Sequence, residues 1–169
     1  MATEGAKERT VVIAMDGSEY SDYAFDWYWA NIHKENDKVI LVHCPEYHTV
    51  VQSHGLNVPP FGNAMVMADV TVITEMMKEE ETRIKGFLEK LGQKLKDRKS
   101  GGKVKSVGGS PGEVICKVAN DEHADLIVTG TRGMGTIRRT FLGSISDYII
   151  HHSHVPVLVC RHKDHQHHH

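Results

Sequence analysis

Strand-like and helix-like segments alternate along this chain, and each strand run is nearly all apolar, a pattern that few architectures accept. The runs are Arg9 to Met15, Lys38 to Cys44, Lys103 to Gly108, Asp125 to Thr129 and Val155 to Cys160. Strands covered on both faces read this way, because βαβ crossovers lay helices on each side of a parallel sheet. The expected fold is therefore α/β, a three-layer sandwich around a five-stranded parallel sheet of strand order 3-2-1-4-5. Ligands in such sheets lie at the C-terminal strand ends, where the strand order reverses. Asp16 follows strand one and Gly130 follows strand four, so these two ends would flank one crevice, with the Cys44 end of strand two beside them.

Between the strands, Asp16-Gly17-Ser18 reads as a turn into a helix capped by Ser18 and running to about His33. Its aromatics, Tyr20, Tyr23, Phe25, Trp27, Tyr28 and Trp29, make it apolar on more than one side, as expected for packing on a sheet and on another subunit. Pro45 to Gly62 is the one long irregular stretch, broken by Gly55, Pro59, Pro60 and Gly62, and is a candidate lid. From about Asn63 to Arg98 the pattern is helical, with Val70, Ile73, Met77, Ile84, Phe87, Leu88, Leu91 and Leu95 on one stripe and Lys78 to Glu81 on a solvated face. Ser110-Pro111-Gly112-Glu113 supplies an N-cap, a proline at the first helical position and a capping-box acid for a helix to about Glu122. The last helix runs from Ser144 to about His152, with Asp147 as its capping-box acid.

The stretch from Val128 to Asp147 is built to hold a phosphate. A buried run delivers the backbone to a loop with Gly130, Gly133 and Gly135, three arginines (Arg132, Arg138, Arg139) and no acid, and the loop ends after Gly143 on Ser144, a serine placed to cap the following helix. Glycines let main-chain N–H groups approach an anion, and the helix offers unpaired N–H groups at the positive end of its dipole. Backbone donors and guanidinium groups together favour a polyphosphate. A carboxylate beside such a loop would repel it, so Asp16 is assigned to the nucleoside side, with an indirect role through Mg²⁺ as the second option.

Length and composition limit the partners. A chain of 169 residues, 40% apolar and 25% charged, suits one globular domain, and a formal charge of −2 gives no whole-molecule field to attract nucleic acid. No segment is apolar enough to span a bilayer or to serve as a secretory signal, which points to the cytoplasm. Cys44, Cys116 and Cys160 are odd in number and each lies in an apolar segment, as buried thiols do in a reducing compartment. Of the 13 histidines, five lie in the last eight residues and read as a partly appended tail. His151, His152 and His154 cluster at a helix end, where imidazolium suits the dipole better than a metal site would. The expected division is a flexible 1–8, one domain at 9–161 and a His-rich tail at 162–169.

Gly130-x-x-Gly133, nine residues and then Gly143-Ser144 resembles the nucleotide-binding signature of the universal stress protein family. Supporting matches are Asp16-Gly17-Ser18, Leu41-Val42-His43, Gly109-Ser110-Pro111, Ala124-Asp125-Leu126-Ile127 and Val155-Pro156-Val157-Leu158-Val159, so the resemblance covers Arg9 to Arg161. It implies a Rossmann-like fold of the adenine nucleotide alpha hydrolase-like type, ATP as ligand, and a homodimer paired through Val155 to Cys160. By position, adenine and ribose contacts fall on Asp16 and on the backbone of Cys44. Phosphate contacts fall on Gly130, Gly133, Gly143, Ser144 and Ser146, with Arg132 and Ile145 beside them. Cys44-Pro45 departs from the family's usual branched aliphatic residue and non-proline, and the proline stiffens the pocket.

The leading functional expectation is an ATP-binding sensor or regulatory protein of the stress response, acting on protein partners that the sequence does not identify. Its rival is a slow ATP-hydrolysing or nucleotidyl-transferring enzyme. Gly-x-x-x-x-Gly-Lys-[Ser/Thr] is absent and no general base stands out, which favours the first. A flavin or other phosphate-ligand carrier is the third reading.

Overall fold

The computed structural model describes residue 5 and residues 7–45, 70–131 and 142–162. The elements in chain order are β1 (Arg9–Ala14), α1 (Glu19–Asn31), β2 (Asp37–His43), α2 (Val70–Asp97), β3 (Lys103–Ser106), α3 (Pro111–Asp121), β4 (Leu126–Gly130), α4 (Ser144–His152) and β5 (Val157–Cys160). The five strands form one sheet in the order β3-β2-β1-β4-β5, and every neighbouring pair is parallel. This is the sheet expected from the apolar runs. Val12 lies opposite Ile40 on one side and Ile127 on the other, so β1 is the centre of the sheet and the place where its winding reverses.

Each central strand is apolar on both faces because both faces are covered. Val11, Ile13, Val39, Leu41 and Val128 pack under α1 and α2, whereas Val12, Ile40, Val42 and Ile127 pack under α3 and α4. The aromatics of α1 are absorbed by the first of these layers: Phe25 and Tyr28 are buried, and Tyr23, Trp27 and Trp29 pack against them. At the N-terminal end of the sheet, the Asp37 side chain is fully buried and accepts from Arg9 Nε at 2.8 Å, Arg9 Nη2 at 2.6 Å, the Tyr28 hydroxyl at 2.5 Å and the Lys34 N–H at 2.9 Å. One carboxylate thereby ties β1, β2 and α1 together.

Several expected boundaries shift for identifiable reasons. β5 begins at Val157, not Val155, because Pro156 has no N–H for the ladder; its carbonyl accepts the Ile127 N–H at 2.9 Å. Ser18 does cap α1, accepting from the Ser21 N–H. Ser110 is the N-cap of α3 with Pro111 just inside, but its side chain makes no capping bond. On α4 the N-cap is Gly143, so Ser144 is the first helical residue and the Ser144-x-x-Asp147 box does not form. The expected apolar stripe of α2 is buried only in its second half, at Ile84, Leu91 and Leu95. Its first half leaves Val70, Val72, Ile73 and Met77 exposed. The helix has 28 residues, about 42 Å at 1.5 Å per residue, and the longest strand has seven, about 23 Å, so the helix outruns the sheet. The candidate lid at 46–62, the expected helix start at 63–69 and the tail beyond His162 lie outside the described residues.

The two sheet edges are chemically unlike. β3 reads Lys-Val-Lys-Ser, and Lys103 and Lys105 both pair with Glu122, whereas β5 reads Val-Leu-Val-Cys, with its first three residues half-buried.

Candidate functional site

β1 ends where the backbone must turn outward, and the turn is held by its own side chains. Asp16 Oδ1 accepts from the Ser18 N–H at 2.9 Å and from the Ser18 hydroxyl at 2.6 Å. Ser18 Oγ in turn accepts the Ser21 N–H at 3.2 Å, so the residue that caps α1 also fixes the Asp16 carboxylate. Gly17 between them has φ +82°, and a Cβ there would lie 3.4 Å from the Phe87 ring; glycine suits both the left-handed backbone and the close helix.

β4 ends beside it. Gly130 is buried, and a Cβ on it would lie 2.7 Å from the Tyr20 carbonyl oxygen, so the first turn of α1 rests directly on the Gly130 backbone. The Ser146 hydroxyl donates to the Gly130 carbonyl at 2.6 Å, and the Gly143 N–H donates to the Thr131 carbonyl at 2.7 Å. These two bonds pin the start of α4 to the exit of β4 and close the base of the glycine loop. Ser146 therefore spends its proton on the scaffold, a structural duty that its motif position did not reveal.

The first intrahelical bond of α4 is Asp147 N–H to Gly143 C=O. The amides of Ser144, Ile145 and Ser146 precede it, and the N-cap residue, Gly143, has no side chain with which to bond them. Three main-chain donors thus stand at the positive end of a helix, beside the switch point, where an anion is the complementary ligand. Ser144 is exposed, while Ile145 packs into the same core layer as Cys44 and Val107. Asp16, Cys44 and Gly130 thus lie at the C-terminal ends of the neighbouring strands β1, β2 and β4, and Gly143, Ser144, Ile145 and Ser146 form the helix start pinned to the exit of β4. Arg132 and Gly133 lie outside the described residues. Cys44 is half-buried and donates its thiol hydrogen to the Gly109 carbonyl at 3.2 Å. Cys116 is likewise half-buried, so full burial holds only for Cys160, whose thiol desolvation pushes up to about 11.

Two groups near the ends of β1 and β2 were given no role of their own from sequence. Glu80 is nearly buried and pairs with Arg83 one turn on, a spacing of three that the charge run obscured. His43, buried at the end of β2, bonds the Met15 carbonyl through Nδ1 at 3.1 Å and meets Phe87 edge-on at 4.7 Å. Burial, chiefly, and then Arg83 hold His43 below its ordinary 6.5, against the opposing pull of the Met15 carbonyl, Asp16 and Glu80. A histidine kept neutral in the fold favours the fold only while the unfolded chain's histidine is neutral as well. Its contribution is complete above pH 6.5 and is lost as pH falls from 6.5 through the lower folded value. The melting temperature should accordingly fall between pH 7 and pH 5, and His43→Asn should flatten that slope; an unaltered slope would assign it to other groups.

The C-terminal histidines of α4 serve the helix itself. His151 and His152 bond the Asp147 and Tyr148 carbonyls through Nδ1, each at 2.9 Å, and His152 stacks on Tyr148. Among the described residues, no three His, Cys, Asp or Glu side chains converge to hold a metal, and no helix is long and apolar enough to cross a membrane.

The profile of the universal stress protein family matches residues 8–161. The chain is 28% identical over 153 residues to universal stress protein Sll1388 of Synechocystis, covering 90% of this chain and 97% of that one. In three dimensions it is similar to the hypothetical protein MJ0577, with TM-score 0.69, 25% identity and coverage of 93% and 98% of the two chains. It shares its fold with a universal stress protein in complex with cAMP (TM-score 0.59, 23% identity, coverage 92% and 98%). The same holds for a family protein of Arabidopsis thaliana with AMP bound (TM-score 0.60, 18% identity, coverage 92% of both chains).

Proposed function

Since the chain belongs to the universal stress protein family, we propose that it binds an adenine nucleotide, ATP first among the candidates, and acts as a nucleotide-dependent regulatory protein in the stress response. The observation that carries this reading is the α4 N-terminus, capped only by a glycine and pinned to the exit of β4, the strand that neighbours β1 and its Asp16 turn. In this reading Asp16 and the Cys44 backbone hold the nucleoside. Gly130, Arg132, Gly133, Gly143, Ser144, Ile145 and Ser146 surround the phosphates, with Mg²⁺ as a bridging ion where the triphosphate requires one. The nucleotides bound by the two solved relatives support the adenine class. The protein works in the cytoplasm as a homodimer joined through the apolar β5 edge and passes its state to partner proteins.

Mass spectrometry of small molecules released from the purified protein should find an adenine nucleotide. Ser144 is exposed at the first position of α4, so Ser144→Trp leaves the core alone but fills the space before the helix amides. It should weaken ATP binding in calorimetry by about tenfold or more, the worth of one or two charge-assisted hydrogen bonds. Unchanged affinity at an unchanged melting temperature would remove the phosphates from this helix end.

A further inference from the structure

The geometry points to His43 as the positioning residue of the nucleoside side, an inference that rests on the adenine-nucleotide reading above: its Nδ1–H holds the peptide that carries Asp16, and through it the site tells a nucleotide from a bare polyphosphate. The Met15 carbonyl can only accept, so the 3.1 Å contact fixes the proton on Nδ1. The Met15 N–H donates to the Val42 carbonyl at 2.8 Å. Both polar groups of Met15 are therefore held by consecutive residues of β2, and the next residue along β1 is Asp16.

The carboxylate is then held from two directions, upstream by the anchored Met15 peptide and downstream by Ser18. His43 itself cannot swing away. Phe87 of α2 lies against its ring at 4.7 Å, and the same phenyl group backs Gly17 across the turn. Strand alternation separates its task from ligand contact: Met15 and Leu41 belong to the layer under α1 and α2, whereas Cys44 belongs to the layer under α3 and α4. His43 shares the first layer through Phe87 and acts on the ligand through Asp16.

The test compares the full-length protein with His43→Leu, His43→Asn and His43→Gln in calorimetric titrations with AMP, ATP and inorganic tripolyphosphate. An asparagine amide nitrogen takes the place of Nδ1 and keeps the bond; a glutamine amide sits one carbon further out and does not. The expected result is nucleotide affinity about tenfold lower for the leucine and glutamine variants, with asparagine within about threefold of the parent and tripolyphosphate binding unaltered throughout. Glutamine, as the polar substitution, keeps the test decisive should the leucine variant fail to fold. Equal losses for nucleotide and tripolyphosphate, or glutamine matching asparagine, would overturn the role of the Nδ1–H. A parent protein that binds tripolyphosphate but no adenine nucleotide would overturn the nucleotide reading itself, a separately visible outcome.

Discussion

Asp37→Ala should lower the free energy of unfolding by about 3 kcal/mol or more, the typical cost of removing one partner from a buried ion pair. The side chain is fully buried and receives bonds from Arg9, the Tyr28 hydroxyl and the Lys34 N–H. Without it the Tyr28 hydroxyl loses its acceptor, and the Arg9 guanidinium keeps only the Ile32 carbonyl, at 2.9 Å, and its water-facing edge. The loss sits at the lower end of the 3–5 kcal/mol range because Arg9 keeps 23% of its side chain in water. Burial opposes ionisation of Asp37, but Arg9, Tyr28 and Lys34 together overcome it and hold the carboxyl below its ordinary 3.8. The network is therefore at full strength above pH 3.8 and weakens as pH falls through the lower folded value. Urea unfolding at pH 7 measures the first effect, and a loss under 1 kcal/mol would mean that Arg9 and Tyr28 find other partners.

Gly130→Ala should damage stability and binding together. The added carbon would lie 2.7 Å from the Tyr20 carbonyl oxygen and 2.9 Å from its carbon, closer than non-bonded carbon tolerates, and both are backbone atoms of a helix. α1 has to retreat, at an overpacking cost of about 1–3 kcal/mol. Ser18, which caps that helix, also holds Asp16, so the retreat displaces the nucleoside carboxylate as well. Adenine-nucleotide affinity should fall by about tenfold or more, the scale of a mispositioned charge-assisted bond. A variant with wild-type unfolding and binding would show that helix and strand do not press on each other here.

Much of this architecture was legible because it is written in repeated, local signals. Apolar residues at consecutive positions of β1 and β2 can only mean cover on both faces, and alternation with helices then dictates the parallel sheet. Ser18 was readable as a cap because its own side chain makes the bond. The helix cap at Gly143 was not, because glycine there contributes no side chain and Ser144 draws the eye one residue too far. Periodicity identified the inward stripe of α2 but could not tell that the helix outruns the sheet, which is a matter of relative lengths in space. His43, Glu80 and Asp37 were opaque for a common reason: each gains its role from a residue that is distant in sequence or masked by neighbouring charges. The Gly130, Ser144 and Ser146 positions were singled out through the motif, while the bonds that tie Ser146 to Gly130 and Gly143 to Thr131 came only from the structure.

The lysines on β3 make strand addition on that side costly, because an incoming chain would have to displace charged side chains that are already paired. The β5 side offers no such obstacle. A ribbon able to grow from one margin alone is used up by its first pairing, since each participant then turns only its cationic flank outward. In the dimer proposed above, joined through β5, further growth by backbone zippering would therefore stop at two members.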